Sequence, residues 1–492
     1  MANSAFTFDN TFARDMEDFY VAWKGENAPA PEIKFFNDDL ASSLGLDSKE
    51  LNTPDGARIF TGSGVPQGAN PLAQVYAGHQ FGGFSQQLGD GRALLLGEIV
   101  DPNGERYDIQ LKGSGKTPFS RGGDGKAVLG PVLREYIMGE AMHALGIPTT
   151  RALAAATTGE KVYRDAIQPG AVLTRVAASH IRVGTFQFFA ARGEVERIRQ
   201  LADYSIQRHY PHLIDSRTPY LDFLKLVIEA QAALVASWMS IGFIHGVMNT
   251  DNVTISGETI DYGPCAFMDG FDMNTVYSSI DRGGRYAYGN QPTIAQWNLA
   301  RFAETLIPLL EAPDQDAAVE MATEAVTDFS AIYANHWLDR MRAKMGLKLA
   351  QENDGALVKD LFQAMQNEGV DFTLFFRALA EAANGNENAV LSLFNKRDEI
   401  SAWLESWKAR CNAESTAPNQ RHKAMNAVNP LYIPRNHKVE EALTAAWQDD
   451  DMEPAKKLLD VLSNPFEERD RLEEYANPAP ADFGPYKTFC GT

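Results

Sequence analysis

A glycine-rich segment that leads into two short strands and a helix is the feature that most restricts how this chain can fold. The segment GGFSQQLGDGR covers residues 82–92 and runs into an apolar stretch that predicts a strand over 93–100. A DPNG turn separates it from a second predicted strand over 106–112, which ends on Lys112. A proline and a glycine then bracket a predicted helix that carries Glu135. The order predicts two antiparallel strands behind a glycine loop, followed by a helix.

A kinase-like small lobe uses these same parts to hold a nucleoside triphosphate. Gly89 and Gly91 would let backbone N–H groups approach phosphate oxygens, and Arg92 follows them directly. Lys112 would supply a positive charge to the phosphates, and Glu135 would hold that lysine in place. A second interpretation stays open at this point, because glycine loops mostly make turns and Lys/Glu pairs are mostly surface charge.

The second half of the chain carries the matching parts of a kinase catalytic centre. His245 is followed seven residues later by Asn252, and Asp261 opens an Asp-Tyr-Gly sequence. Amide and carboxylate oxygens suit a hard divalent cation that bridges phosphates, so Asn252 and Asp261 are predicted metal ligands. Either residue alone can be interpreted as a turn residue. Behind a suitable N-terminal half, the joint pattern favours metal binding.

The usual catalytic base of a kinase is missing from this loop. A kinase places an aspartate two residues after the histidine, where this chain has Val247. Asp251 is the only carboxylate in the loop, which makes it the predicted proton acceptor for a substrate hydroxyl. Its alternative interpretation is a turn residue or a residue that supports the metal ligands.

The net charge of the chain excludes some classes of binding partner. Lys and Arg number 45 against 65 Asp and Glu, which gives a net charge of −20. Nucleic acid and anionic membranes would be repelled by most of such a surface, so neither is an expected partner. Arg175 and Arg182 stand out as candidates for binding a polyphosphate, and both would point the same way if their segment were helical.

The pattern along the chain divides it into four predicted regions. We predict an irregular extension over residues 1–80, a kinase-like small lobe over 81–184 and a kinase-like large lobe over 185–345. Residues 346–492 read as a helical C-terminal region and tail. The fold class predicted is α+β, with a protein-kinase-like two-lobed architecture.

Cysteine content and the N-terminus favour a reducing cytoplasm. Three cysteines are too few and too scattered for a disulfide framework or a zinc site. The first residues include acids where a signal peptide would need an apolar core. Cys265 follows the Asp-Tyr-Gly sequence and Cys490 lies in the tail, so a regulatory disulfide between them is one hypothesis, and a buried thiol with a free surface thiol is the other.

Several long strings in this sequence resemble the SelO (YdiU) family of pseudokinases, which act as protein adenylyltransferases. The strings span almost the whole chain: YAGHQFGGFSQQLGDGRALLLGE, QLKGSGKTPFSRGGDGKAVL, REY, HGVMNTDN, DYGPCAFMD, GGRYAYGNQP, IPRNHKVEEAL and TFCGT. The resemblance implies a kinase-like fold in which ATP lies flipped, so that the α-phosphorus faces the acceptor. AMP would then pass to Ser, Thr or Tyr hydroxyls of protein substrates, including this protein itself, and pyrophosphate would leave.

The resemblance also assigns roles position by position. It implies a proton acceptor at Asp251 and ligands to Mg²⁺ or Mn²⁺ at Asn252 and Asp261. The positions that it implies as nucleotide contacts are Gly89, Gly91, Arg92, Lys112, Asp124, Gly125, Glu135, Arg175, Arg182 and Asp261. Other members are associated with UMP transfer, so UTP stays open as a donor. A conventional kinase and an inactive nucleotide-binding scaffold are the alternatives; Val247 argues against the first, and the two predicted metal ligands argue against the second.

Overall fold

The computed structural model describes residues 5–164 and 166–489 and shows a mixed α/β protein with a helical C-terminal region. In chain order, the strands of the described residues are β1 (Tyr20–Ala22), β2 (Glu32–Phe36), β3 (Leu72–Gln74), β4 (Gly78–Gln80), β5 (Gly83–Ser85), β6 (Ala93–Val100), β7 (Arg106–Lys112), β8 (Ala127–Val128), β9 (Arg151–Tyr163), β10 (Ile167–Ala177), β11 (Phe243–Ile244) and β12 (Ala266–Phe267).

Eight of these strands form one antiparallel sheet in the order β1-β3-β6-β7-β10-β9-β2, with β8 paired to β10. Both strands predicted behind the glycine loop, β6 and β7, are confirmed, and Ala93 lies opposite Lys112. Successive side chains of a strand point to opposite faces. Accordingly Leu94 and Leu96 pack in one apolar core while Leu95 packs in another, so each face of the sheet is covered.

Helices make up most of the rest of the chain. They are α1 (Thr11–Asp15), α2 (Asp38–Ser43), α3 (Ser48–Leu51), α4 (Pro54–Phe60), α5 (Leu129–Ala144), α6 (Val183–Ala190), α7 (Val195–His209), α8 (Pro219–Ser240), α9 (Gln291–Leu306), α10 (Gln315–Lys344), α11 (Asp354–Glu368), α12 (Phe372–Ala383), α13 (Asn388–Leu391), α14 (Arg397–Asn412), α15 (Pro418–Asn426), α16 (Asn436–Asp449), α17 (Glu453–Leu462) and α18 (Glu473–Ala476).

The first 80 residues are more regular than their prolines and glycines indicate. Instead of an irregular extension, they supply β1, β2 and β3 to the main sheet, and Leu40, Leu51 and Phe60 from α2, α3 and α4 join the core on one face. The expectation failed because β1 and β3 are only three residues long, too short to show an alternating pattern. These residues are therefore part of the sheet and its covering layer.

Two helices hold the site from behind. The predicted glutamate helix is α5, which packs against β9 and β10, and Gly146 follows its end with a φ of +74°. The long helix α8 contacts α9 and α10. By length and composition α8 is apolar enough to cross a bilayer, but 72% of its most apolar window is buried inside the protein. That burial is typical of a core helix.

Two short strands and the loop between them interrupt the helices between α8 and α9. Strands β11 and β12 pair antiparallel and bracket residues 245–265, within which Thr250–Asn252 forms a single 3₁₀ turn. The Nε2 atom of His245 lies 2.9 Å from the carbonyl oxygen of Ile260, one residue before Asp261. This histidine therefore joins the two loops that carry the predicted site residues.

Candidate active site

Lys112 and Glu135 meet inside the protein, as a kinase-like small lobe requires. The Nζ atom of Lys112 donates to Glu135 Oε2 at 2.7 Å, and both side chains are largely buried. β7 presents the lysine at its last residue, while α5 presents the glutamate on the face that packs against β10. Burial alone would raise the pKa of Glu135, but the charges of Arg175 and Lys112 outweigh it and hold the pKa below its usual value.

Asp261 lies at the centre of a group that we call the cleft cluster, with Lys112, Glu135, Arg175 and Arg182. Its Oδ1 accepts hydrogen bonds from Lys112 Nζ at 2.5 Å and from Arg175, while its Oδ2 lies 3.9 Å from Arg182. Burial raises the pKa of Asp261, yet Arg175, Lys112 and Arg182 together hold it well below normal. Asp261 is therefore ionised at neutral pH. Its φ of +66° is rare for a residue with a side chain and is typical of functional turns.

Arg175 and Arg182 converge on Asp261 by a route that sequence spacing did not predict. Their segment is not helical: Arg175 lies on β10, and Arg182 directly precedes α6. Arg175 also pairs with Glu135, and Arg182 donates to the backbone carbonyl of Asp251 at 3.0 Å. Both guanidinium groups are buried. The cluster thus holds three cations around Glu135 and Asp261, with a third carboxylate, Asp90, 3.9 Å from Arg182. Ammonium and guanidinium groups are the side chains that bind phosphate.

The glycine loop is shaped by contact with the segment that follows β7. A Cβ at Gly89 would lie 2.5 Å from Phe119 Cγ, and one at Gly91 would lie 2.8 Å from the Phe119 carbonyl oxygen. Gly89 also has a φ of +73°. Larger residues are excluded at both positions. Arg92 then lines the same cleft as Lys112.

Asp124 and Gly125 do not join the cleft cluster. Asp124 forms two hydrogen bonds with Arg164, at 2.9 and 2.8 Å, and nearly half of its side chain is exposed. Gly125 has a φ of +68°, and a Cβ there would overlap the Gly115 carbonyl. Arg164 lines the cleft, so Asp124 is placed at its rim rather than beside Lys112.

The cleft beside this cluster has a volume of about 720 Å³. Lys112, Glu135 and Tyr262 form part of its wall, and the C-terminal segment 483–489 forms another part. The Lys112 side chain is 11% exposed and lines the cleft, so a bound group can reach it there. The Asp261 side chain is 24% exposed but is not part of the cleft wall. This volume is typical of a small-molecule site.

Asp251 lies beyond Arg182 in the 3₁₀ turn. It is buried, its Oδ2 accepts a 3.3 Å hydrogen bond from Gln80, and its Oδ1 has no hydrogen-bond partner among the described residues. Desolvation by burial raises the pKa of Asp251 to about 6, against the opposing charge of Arg182. A carboxyl with this pKa can accept a proton near neutral pH.

Asn252 and Asp261 offer the donor atoms that a hard cation prefers. The Asn252 amide nitrogen donates to the Val247 carbonyl at 3.0 Å, which leaves the amide oxygen for a ligand. Among residues 5–164 and 166–489, no group of three or more His, Cys, Asp or Glu could hold a metal ion. Phosphate oxygens and water would have to complete the coordination of a bound cation, as they usually do for Mg²⁺ in nucleotide sites.

Comparison with known proteins decides the family. The family model described as protein adenylyltransferase SelO matches residues 3–463. The protein nucleotidyltransferase YdiU of Cereibacter sphaeroides is 59% identical over 489 residues, which cover 99% of this chain and 100% of that protein. Proteins of the same name from Chromobacterium violaceum and Rhizobium meliloti are 57% and 56% identical, covering 97% and 99% of this chain and 100% of their own lengths. This chain belongs to the SelO family.

Membership of the SelO family makes this protein a nucleotidyltransferase, as its sequence predicts. Its substrate is therefore a nucleotide such as ATP. The buried cations beside an open cleft agree with that activity, because polyphosphate binding needs concentrated positive charge.

Sequence reasoning missed three residues that the structure adds to this SelO-family site. Asp90, between the two predicted glycines, is buried, and its Oδ1 lies 3.9 Å from Arg182. The Tyr76 ring lies under Arg182 at 4.6 Å, and Gln80 binds Asp251. All three lie within the string YAGHQFGGFSQQLGDGR. Its glycines predicted a loop, but the sequence did not show which residues the side chains of that loop contact.

The tail lies against the segment that carries Cys265. Thr488 Oγ1 donates to the Pro264 carbonyl at 2.7 Å, and the Thr488 N–H donates to the Tyr277 carbonyl at 2.9 Å. Cys265 is buried, and burial raises the pKa of its thiol to about 12. Cys490 falls outside the described residues, so the Cys265 to Cys490 disulfide stays a prediction.

Proposed function

We propose that this protein transfers AMP from ATP to Ser, Thr or Tyr hydroxyls of protein substrates, itself included, and releases pyrophosphate. The observation that carries the proposal is the cleft cluster, in which Lys112, Arg175 and Arg182 converge on Asp261 behind the nucleotide-sized cleft. The fold we propose is kinase-like, with a small lobe over 81–184 and a large lobe over 185–345. We also propose a cytoplasmic location and no nucleic-acid or membrane partner.

In this proposal the terminal phosphates of ATP point into the cleft cluster. The Arg175 and Arg182 side chains are almost fully buried, at 2% and 3% exposed. Guanidinium groups so placed suit a phosphate that is held as part of a leaving group. Gly89, Gly91 and Arg92 would contact the nucleotide along the cleft, and Asp124 with Gly125 would do so at the rim. The orientation leaves the α-phosphorus towards Asp251.

Asn252 and Asp261 would hold Mg²⁺ or Mn²⁺ through one amide and one carboxylate oxygen. Such a cation, when bound, neutralises phosphate charge that builds up on the leaving pyrophosphate. Asp261 suits this role because neighbouring cations keep it ionised. Glu135 would act indirectly, because its carboxylate holds Lys112 and Arg175 in position.

Asp251 would accept the proton of the acceptor hydroxyl. The hydroxyl oxygen attacks the α-phosphorus, the bond from that phosphorus to the bridging oxygen of the β-phosphate breaks, and pyrophosphate leaves with the electron pair. Lys112, Arg175 and Arg182 would stabilise the charge that develops on it. Val247 occupies the position of the kinase base, which agrees with a centre built around Asp251 instead.

Labelled nucleotides test this proposal against its alternatives. The protein is incubated with Mg²⁺ or Mn²⁺ and ATP labelled on the α- or the γ-phosphate, and protein-bound label is measured, with α-labelled UTP in parallel. Label from the α position alone is the expected result. Label from the γ position would indicate a conventional kinase, and nucleotide binding without any transfer would indicate an inactive scaffold. Stronger transfer from UTP would change the donor but keep the chemistry.

A further inference from the structure

The hairpin formed by β4 and β5 is a part of the site that nucleotide binding does not use. Its two strands pair with each other and with no other strand among the described residues. Phe81 and Phe84 are 37% and 41% exposed, although aromatic side chains are normally buried or bound. The exposed rings therefore need an explanation other than core packing.

Hydrogen bonds fix this hairpin to the turn that carries Asp251. The N–H of His79 donates to Thr250 Oγ1 at 2.7 Å, and the Gln80 amide donates to Asp251 Oδ2 at 3.3 Å. A Cβ at Gly78 would lie only 2.7 Å from Asp251 Oδ1, so β4 can approach the carboxylate only with glycine there. The hairpin is thus the part of the surface next to the proposed proton acceptor.

Phe81 is held in an unfavourable backbone conformation at the hairpin tip. Its φ of +52° falls in the left-handed region, which aromatic residues seldom adopt. Its N–H donates to Asn249 Oδ1 at 3.1 Å and to Tyr286 Oη at 3.2 Å, and these contacts maintain the conformation. The Phe81 ring then packs 5.1 Å from that of Tyr286. Strain of this kind, maintained by specific contacts, is typical of sites that bind a ligand.

Two arginines without a carboxylate partner among the described residues lie at the two ends of the hairpin. The guanidinium of Arg285 lies 4.8 Å from the Trp297 ring, close to Gly82 at the tip, and its Nε has no hydrogen-bond partner in the described part of the chain. Arg192 donates to the Gln86 carbonyl at the other end. The nearby carboxylate of Asp281 is occupied by backbone N–H groups.

We propose that the hairpin Gly78–Ser85, with Arg192 and Arg285, binds the acceptor polypeptide and selects acidic residues beside the acceptor hydroxyl. The exposed phenylalanines would pack on the acceptor segment, while the arginines would pair with its Asp or Glu side chains. In a protein with a net charge of −20, positive charge placed at this one edge favours an acidic segment that reaches Asp251. The inference rests on the proposed function, because it assumes that a polypeptide presents the hydroxyl.

A peptide library provides the first test. Peptides with a central Ser, Thr or Tyr and mixed flanking residues are incubated with the full-length protein, Mg²⁺ and α-labelled ATP. We expect labelled peptides to be enriched in Asp and Glu within a few residues of the hydroxyl. A matched pair of peptides, one with acidic and one with lysine flanks, then gives KM and kcat for each.

Variants of the hairpin surface provide the second test. R285E should reverse the preference, so that the lysine-flanked peptide has the lower KM. F84S, and F81N with an asparagine that tolerates the left-handed backbone, should each raise peptide KM by about tenfold with little change in kcat. The controls are R397E and L349S, exposed positions in the helical C-terminal region. Thermal melting and nucleotide affinity confirm that each variant folds and binds ATP.

Two results would overturn the inference in distinguishable ways. If peptides are labelled without acidic preference and R285E leaves both KM values unchanged, the docking surface is wrong and the proposed function stands. If no peptide or protein takes label from the α-phosphate, the proposed function is wrong, and this inference is wrong with it.

Discussion

Two groups of buried charges lie along one face of β7, and they differ in what surrounds them. Lys112 at the end of the strand belongs to the cleft cluster. Asp108, four residues earlier on the same face, belongs to a second group with Glu98, His180 and Arg208, which we call the sealed cluster. Ile109 and Leu111 alternate with them and pack in the opposite core. The same strand therefore serves both groups.

The sealed cluster does not line the cleft. Glu98 accepts hydrogen bonds from Thr11, Tyr204, Arg208 and the Phe12 N–H, and its side chain is only 1% exposed. In the cleft cluster the Asp261 side chain is 24% exposed, and Lys112 lines the cleft. Buried ion pairs thus serve structure where they are closed off from solvent, and serve binding where one of their members lines a cleft.

The largest expected effect comes from Asp261, on which the cleft cluster converges. Asp261→Ala should lower the rate of nucleotidyl transfer by about a thousandfold or more, because it removes a predicted metal ligand and the carboxylate that pairs with both Lys112 and Arg175. Transfer of label from α-labelled ATP measures the rate, and isothermal titration measures metal-nucleotide affinity. Near-normal labelling by this variant would remove Asp261 from the mechanism.

Asp251 should control the chemical step rather than nucleotide affinity. Asp251→Asn is expected to lower kcat by about a hundredfold to ten-thousandfold, as loss of a general base does. Because Asp251 must be ionised to accept a proton, and its pKa is about 6, kcat/KM of the unmodified protein should fall as pH drops below 6. The variant should lack this acidic limb. An equal loss in kcat and nucleotide affinity would make Asp251 a binding residue instead.

A matched pair of substitutions compares the two clusters directly. Lys112→Met should reduce transfer by about a hundredfold with little change in melting temperature, because Arg175 still pairs with both Glu135 and Asp261. Arg208→Met should instead cost about 3–5 kcal/mol of stability, because it leaves two buried carboxylates without their cation. Activity assays and thermal melting separate the effects. A large fall in melting temperature for Lys112→Met would contradict the comparison.

The last prediction concerns Lys344, a buried cation that has no carboxylate partner among the described residues. Its Nζ donates to Asn429 at 2.8 Å and lies 4.0 Å from the Phe376 ring, and burial lowers its pKa to about 7. The unfolded chain holds this proton up to about pH 10.5, so it binds more protons than the folded protein between these values. Stability should therefore rise from pH 7 to 10 by about 1.4 kcal/mol per pH unit from this group.

Lys344→Met provides the control for that pH dependence. Urea unfolding at several pH values should show a flatter dependence for the variant than for the unmodified protein. An identical slope for both proteins would mean that Lys344 stays charged in the fold.

The strands and helices that the sequence predicted are those whose own residues show a clear pattern. β6, β7 and α5 have clear patterns and caps, and the motifs placed Lys112 and Glu135 on the elements where they are found. β1 and β3 were missed because a strand of three residues is too short to show alternation of apolar and polar side chains. Their positions depend instead on pairing with neighbouring strands, β1 with β3 and β3 with β6.

Contacts between distant segments could not be predicted in the same way. Arg175 and Arg182 would point the same way if their segment were helical, whereas β10 and the residue before α6 bring them to Asp261. Gln80 reaches Asp251 from 171 residues away, and only the folded chain shows that contact. The motifs therefore selected candidate residues, and only the tertiary structure shows which of them lie together and what charges surround them.

The orientation of the nucleotide is the claim on which this account depends most. A crystal structure of the protein with Mg²⁺ and a non-hydrolysable ATP analogue measures it directly. We expect the γ-phosphate to lie against Arg175 and Lys112, with the α-phosphorus towards Asp251. A γ-phosphate next to Asp251, with the α-phosphate against the cleft cluster, would contradict the account.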